Sequence, residues 1–248
     1  MLRPILAATA AALATAPALA TVIVTIEAPG VQNSTATFDF NGVETFDARP
    51  LGVGQNFTTD FGGSEITGQY VNVQINAADQ YGGADGTGQY AVAFPAEWGG
   101  GPYEILLSTT RPEGVNYFGY WLSALDAGNR VQFFKGADLV YQFNPADLLA
   151  RVGGNRAYFC NPNAAFAGKN CGEPYAFVNF YFAEGKTIDR IRIFEDPAVG
   201  GYESDNHTVG YFTRIGGTPI PEPATWAMLI AGFGLVGMGL RRRRTAIA

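Results

Sequence analysis

One histidine, His207, accompanies two cysteines and 22 acidic side chains in this chain of 248 residues. A lone imidazole excludes zinc sites built from several histidines, and no Gly-x-Ser-x-Gly elbow or phosphate-binding loop is present. His207 follows Asn206 where a strand-like run begins, so a turn or surface role is expected of it rather than that of a general base. A cysteine nucleophile would have only this histidine as its base. Carboxylates remain. Two of them, distant in sequence, would suffice to hydrolyse a glycosidic bond, but no pair stands out.

Hard oxygen donors offer a second chemistry. Asp79, Asp85 and the adjacent Asp205 and Asn206 lie near glycines, an arrangement suited to a structural Ca²⁺ at a sheet edge, although the spacing is not that of an EF-hand and the same residue types are common turn formers. No other cofactor is expected. Trp98, followed by Gly99-Gly100-Gly101 and Pro102, is a candidate glycan contact if its loop is exposed, and a core residue otherwise. Trp121, inside the apolar run 117–122, is expected in the core.

The elements that would position these residues are strands. Val71, Val73 and Ile75 alternate with polar neighbours, as do Ile191 with Ile193 and Val209, Tyr211, Thr213 and Ile215. Further β-type runs cover 22–26, 90–94, 103–107, 117–122, 131–134, 139–143, 158–160 and 176–182, separated by glycine pairs and Asp85-Gly86. One short helix is expected, capped by Asn144, with Pro145 at its first position, Leu148 and Leu149 facing inward and Gly153 ending it. The absence of a βαβ rhythm or a repeat unit points to an all-β antiparallel sandwich or jelly-roll-like domain.

Both ends read as address labels. Arg3, an alanine-rich apolar stretch and Ala18-Leu19-Ala20 form a cleavable signal peptide over 1–20. At the other end, no charge interrupts 223–240, which is long enough as a helix to cover most of a bilayer core of about 30 Å. Trp226 suits the outer interface, and Arg241, Arg242, Arg243 and Arg244 suit the cytoplasmic side. The expected divisions are a signal peptide (1–20), an ectodomain (21–217), a linker (218–223), a single C-terminal transmembrane sorting helix (224–240) and a basic cytoplasmic tail (241–248).

The order Pro221-Glu222-Pro223, short Gly-rich apolar helix and terminal arginine cluster resembles the PEP-CTERM sorting signal of Gram-negative bacteria, in its proteobacterial form. The resemblance implies an exosortase partner, an integral-membrane, cysteine transpeptidase-like enzyme that recognises Pro221-Glu222-Pro223 and releases the ectodomain. It also implies transient anchoring in the inner membrane, then the cell surface or extracellular matrix. More loosely, residues 57–211 look like the ectodomain of one family of exosortase-dependent surface proteins, through the stretches 81–90, 117–121 and 202–206. That likeness carries no catalytic assignment, and the segment between Cys160 and Cys171 departs from it.

Without Arg3 and the four tail arginines, the 16 basic residues fall to 11 against 22 acidic ones, net −11 with Glu222 retained. Such acidity argues against a nucleic-acid partner. In an exported chain Cys160 and Cys171 are expected to form a disulfide across a polar loop. The functional expectation is a non-catalytic surface or matrix protein associated with exopolysaccharide or biofilm, with glycan binding as its mode of action. The alternative is a secreted polysaccharide hydrolase.

Overall fold

The computed structural model describes residues 22–96, 99–197 and 200–220. Thirteen strands form one hydrogen-bonded sheet. In chain order they are β1 (Val22–Ile26), β2 (Thr37–Glu44), β3 (Gly52–Thr59), β4 (Ile66–Ala77), β5 (Gln89–Ala93), β6 (Tyr103–Thr109), β7 (Tyr117–Ser123), β8 (Asn129–Lys135), β9 (Asp138–Phe143), β10 (Ala176–Phe182), β11 (Arg190–Glu195), β12 (Tyr202–Arg214) and β13 (Thr218–Pro219). Every ladder is antiparallel. The spatial order is β13-β1-β10-β7-β12-β5-β4-β6-β11-β8-β9, with β2 added to β12 and β3 to β4.

The all-β antiparallel expectation therefore holds, but in place of two separate sheets one continuous sheet curls into a half-barrel. Aromatic contacts show the curl. Phe133 of β8 lies 4.8 Å from Phe180 of β10, ring centre to ring centre, although many strands separate them along the ladder. Curling brings the two ends of the sheet face to face, so a single sheet encloses its core as a sandwich would, and each large apolar side chain sealed there contributes about 1.5–3 kcal/mol.

Alternation decides which side chains enter that core. On β7, Phe118, Tyr120 and Leu122 point inward, matched on β10 by Phe180, Val178 and Ala176. The opposite face of the same strands carries Trp121 and Phe177, which pack with Ala84, Ala124 and Tyr175 in a smaller cluster under the loops. Both faces of β7 and β10 are thus buried, the reason these strands read as continuous apolar runs.

The helix α1 (Pro145–Val152) forms as expected: the Asn144 side chain accepts the Ala146 N–H at 3.1 Å, and Pro145 begins the first turn. Leu148 and Val152 are buried, with Leu149 half-buried beside them. The expected strand at 158–160 is instead a 3₁₀ turn at Arg156–Tyr158, nucleated by the Asn155 side chain accepting Ala157 N–H, with only Phe159 bridging to Pro174. The domain also runs past 217. β13 pairs with β1, and Ile220 donates its N–H to Val24 O at 2.8 Å while burying its side chain, so Thr218, Pro219 and Ile220 belong to the fold rather than to a free linker.

Among the described residues no helix is long and apolar enough to cross a membrane. The expected signal peptide (1–20), Trp98, Pro221, Glu222, Pro223, the anchor at 224–240 with Trp226, and Arg241–Arg244 lie outside the described residues.

Candidate functional site

His207 is neither a turn nor a surface residue. It sits within β12, fully buried, bonding through Nδ1 to the Tyr70 hydroxyl at 2.9 Å and through Nε2 to Ser204 Oγ at 3.0 Å; Ser204 in turn meets the Tyr103 hydroxyl at 2.9 Å. Burial lowers the imidazole to about 3, so it stays neutral. A Ser–His pair of this kind would suggest a nucleophile and its base, but all four members of this chain are fully buried. It is a satisfied polar network in an aromatic core.

A bulge aims this stretch. Pairing with β7 moves from Asp205↔Trp121 to Thr208↔Gly119, three residues on one strand against two on the other, and Asn206 adopts a left-handed φ of 48°. The extra residue lets Ser204 and His207 both face the core while Glu203 and Asp205 point to the outer face. There Asp205 accepts N–H groups from Ala84 (2.7 Å) and Asn206 (2.7 Å), and burial raises its carboxyl to about 8. Asn206 Nδ2 donates to Gln32 O at 3.0 Å.

The four expected calcium donors do not converge as ligands. Asp79 Oδ1 accepts from the N–H groups of Tyr81 and Gly82 and from the Tyr90 hydroxyl, closing its own turn. Asp205, buried beneath the 78–88 loop on the outer face, holds Ala84. Among the described residues no group of three or more His, Cys, Asp or Glu side chains is placed to hold a metal ion. Asp79 and Asp205 use their carboxylate oxygens to fasten loops.

Cys160 and Cys171 are bonded. Their loop docks on the 78–88 loop: Asn163 Nδ2 donates to Gly83 O at 2.8 Å, Asn161 Nδ2 to Gln80 O at 3.1 Å, and Tyr175 OH to Gln80 O at 2.6 Å. Gln32 ties a third loop in, donating to Asn163 Oδ1 and accepting from Asp85 N.

Beside this loop cluster opens a cleft of about 380 Å³. Glu203, Asp126, Glu173 and Asp79 line it, together with Tyr81 and Tyr90, and no lysine or arginine is among its described lining residues. Three carboxylates are held in place. Besides the Asp79 turn, Asp126 accepts Gly128 N–H at 2.6 Å, and Glu173 accepts from Asn170 Nδ2 at 2.7 Å. Glu203 is only 6% exposed; burial pushes its carboxyl well above the usual range, its own backbone N–H opposes that, and Glu173, Asp126 and Glu195 add to the rise. Gly200 and Gly201 leave room for this: a Cβ on Gly200 would strike Asp126, and one on Gly201 would strike Glu203.

Sequence reasoning missed the cleft because its acids come from four separate segments. Two of the stretches carrying the ectodomain resemblance, 81–90 and 202–206, border it, and the third, 117–121, supplies Trp121 beneath the same loops.

Residues 219–244 match the family model of the PEP-CTERM protein-sorting motif. The chain carries a PEP-CTERM sorting motif. That motif implies export, sorting to the cell envelope or surface, and processing by exosortase, a membrane protease. No curated protein and no solved structure matches the chain.

Proposed function

We propose that this protein is made with a cleavable leader, held briefly in the inner membrane by residues 224–240, and released by exosortase as a surface or matrix protein whose β-rich ectodomain works by binding glycan or exopolysaccharide. The observation that carries the sorting part is the PEP-CTERM match over 219–244. Binding is supported by the cleft, a concave site open to solvent among the described residues, and the Ser204–His207 pair is buried away from it. The test is a Glu222→Ala, Pro223→Ala double variant followed by cell fractionation. Full-length protein accumulating in the inner membrane supports the proposal, and normal release overturns it.

One observation favours the hydrolase as a second reading. Glu203 is a carboxyl whose hold on a proton is strengthened by burial, beside other carboxylates in a cleft, the division of labour that glycosidic cleavage uses. Reducing ends released from a polysaccharide by wild type and not by Glu203→Gln would establish that reading; binding without release supports the first.

A further inference from the structure

Glu203 stands in the cleft without a counter-charge. Among the described residues no side chain donates to it, and its one hydrogen bond comes from its own backbone N–H. Directly across the ladder and on the same face, Ser123 keeps its hydroxyl buried with no partner among the described residues. With its own backbone N–H as its donor, Glu203 is held less firmly than the other three acids of the cleft, which have amide or hydroxyl donors from other residues. What would complete Glu203 is a donor that carries positive charge.

The surroundings narrow that donor. Four carboxylates and no basic lining residue repel phosphates, sulfates and uronic acids. A metal ion would need several oxygens within about 2.3–2.6 Å of one point, and no described group of acids meets that. An ammonium group is less demanding, since its N–H bonds reach about 2.7–2.9 Å and spread over several acceptors. Tyr81, 43% exposed at the rim, offers an aromatic face for the carbon skeleton beside such a charge. The volume suits a compact ligand or one ring of a longer one.

We propose that the cleft binds a ligand bearing a primary ammonium group, either a free-amine sugar unit of a glycan or a free polyamine, with Glu203 as its buried counter-charge and Tyr81 against its carbon skeleton. This rests on the reading that the ectodomain acts by binding. Burial favours the protonated form of the Glu203 carboxyl, so pairing it with a cation is coupled to release of a proton.

The experiment is calorimetric titration of the full-length protein in nonionic detergent with a glucosamine tetrasaccharide, its fully N-acetylated counterpart, spermidine and CaCl₂. An amine probe should bind at least about tenfold more tightly than the N-acetylated sugar, and Glu203→Gln should weaken it by about tenfold or more. Tyr81→Ala, at an exposed position that leaves the core intact, should weaken it about threefold, which keeps the test valid if the Glu203 variant fails to fold. Heats measured in two buffers of different ionisation enthalpy should reveal the released proton. Tighter binding of the tetrasaccharide assigns the site to a glycan; equal or tighter binding of spermidine assigns it to a free amine. Equal affinity for the N-acetylated sugar overturns the ammonium site while sparing glycan binding. Binding of Ca²⁺ alone, or of no probe, overturns the inference and leaves the sorting proposal untouched, because that is tested on the tail.

Discussion

The Asp205 carboxylate accepts the Ala84 N–H at 2.7 Å across 121 residues of sequence. This one bond pins the 78–88 loop to the central strand β12, on the face opposite the main core. It also obliges an acid to be buried among other acids, Asp47 and Asp85, and that has a measurable cost.

Stability should rise as pH falls from 8 to 6.5. Asp205 has a folded pKa of about 8 against 3.8 unfolded, and Glu203 is raised too, so the folded state holds extra protons between those limits and is destabilised as pH rises through them. His207 works oppositely: lowered from 6.5 to about 3, its contribution is present above 6.5 and lost as pH falls toward 3. From pH 8 down to 6.5 the acids act and stability rises; below 6.5 the histidine opposes them. Each net proton changes stability by about 1.4 kcal/mol per pH unit, enough for the rise between pH 8 and 6.5 to be read directly. Urea midpoints across pH 3–8 should show it, and a steady fall from pH 8 to 6.5 would contradict the assignment. Asp205→Asn should flatten the limb between pH 5 and 8.

The bulge should be selective for its residue. Asn206 sits at φ 48°, where a side chain without local hydrogen bonding is strained, and its Nδ2 also holds the Gln32 carbonyl. Asn206→Ala should cost about 2 kcal/mol, and Asn206→Gly less than half of that, by denaturant unfolding. Equal losses would mean that the hydrogen bond and not the backbone matters.

Reduction should loosen the loop cluster. The bond between Cys160 and Cys171 closes a loop of separation 11, and its removal in a Cys160→Ser, Cys171→Ser variant should cost about 3 kcal/mol in the chain-entropy account. Alkylation without reductant should add no mass to the native protein. Because Asn161 and Asn163 hold the 78–88 loop, hydrogen exchange should quicken there as well as within the disulfide loop. Exchange that changes only between the cysteines would show the two loops to be independent.

Gly201 should be needed for the position of Glu203. Gly201→Ala places a methyl against the carboxyl and should displace it from the cleft, weakening any amine binding as much as Glu203→Gln does while leaving the core folded. Unchanged affinity would mean that Glu203 is not a contact.

Much of the sheet was legible because its central strands must be apolar on both faces and its other strands alternate. β7, β10, β11 and α1 follow from those patterns and from the Asn144 and Pro145 cap. β2 and β3 were not seen: Asn41, Gly42, Gly52 and Gly54 interrupt the pattern, and the strands form only because they lie along β12 and β4. Gly42 is required by proximity, since a Cβ there would strike Phe61. His207 misled because its neighbour Asn206 does make a left-handed turn, but within a strand that continues on either side. Glu203 gave no local signal at all: its neighbours in the cleft, Asp79, Asp126 and Glu173, meet it only through the fold.

The account turns on where the chain is cut. β13 and Ile220 close the folded domain immediately before Pro221, so the released ectodomain should keep residues through Ile220 and end at or before Pro223. Intact-mass measurement of the protein recovered from the cell surface reads this directly. A mass lacking both 1–20 and 224–248 is the predicted result, with full retention of 224–248 in cells that lack exosortase. Surface protein that still carries 224–248 would contradict sorting by the PEP-CTERM motif.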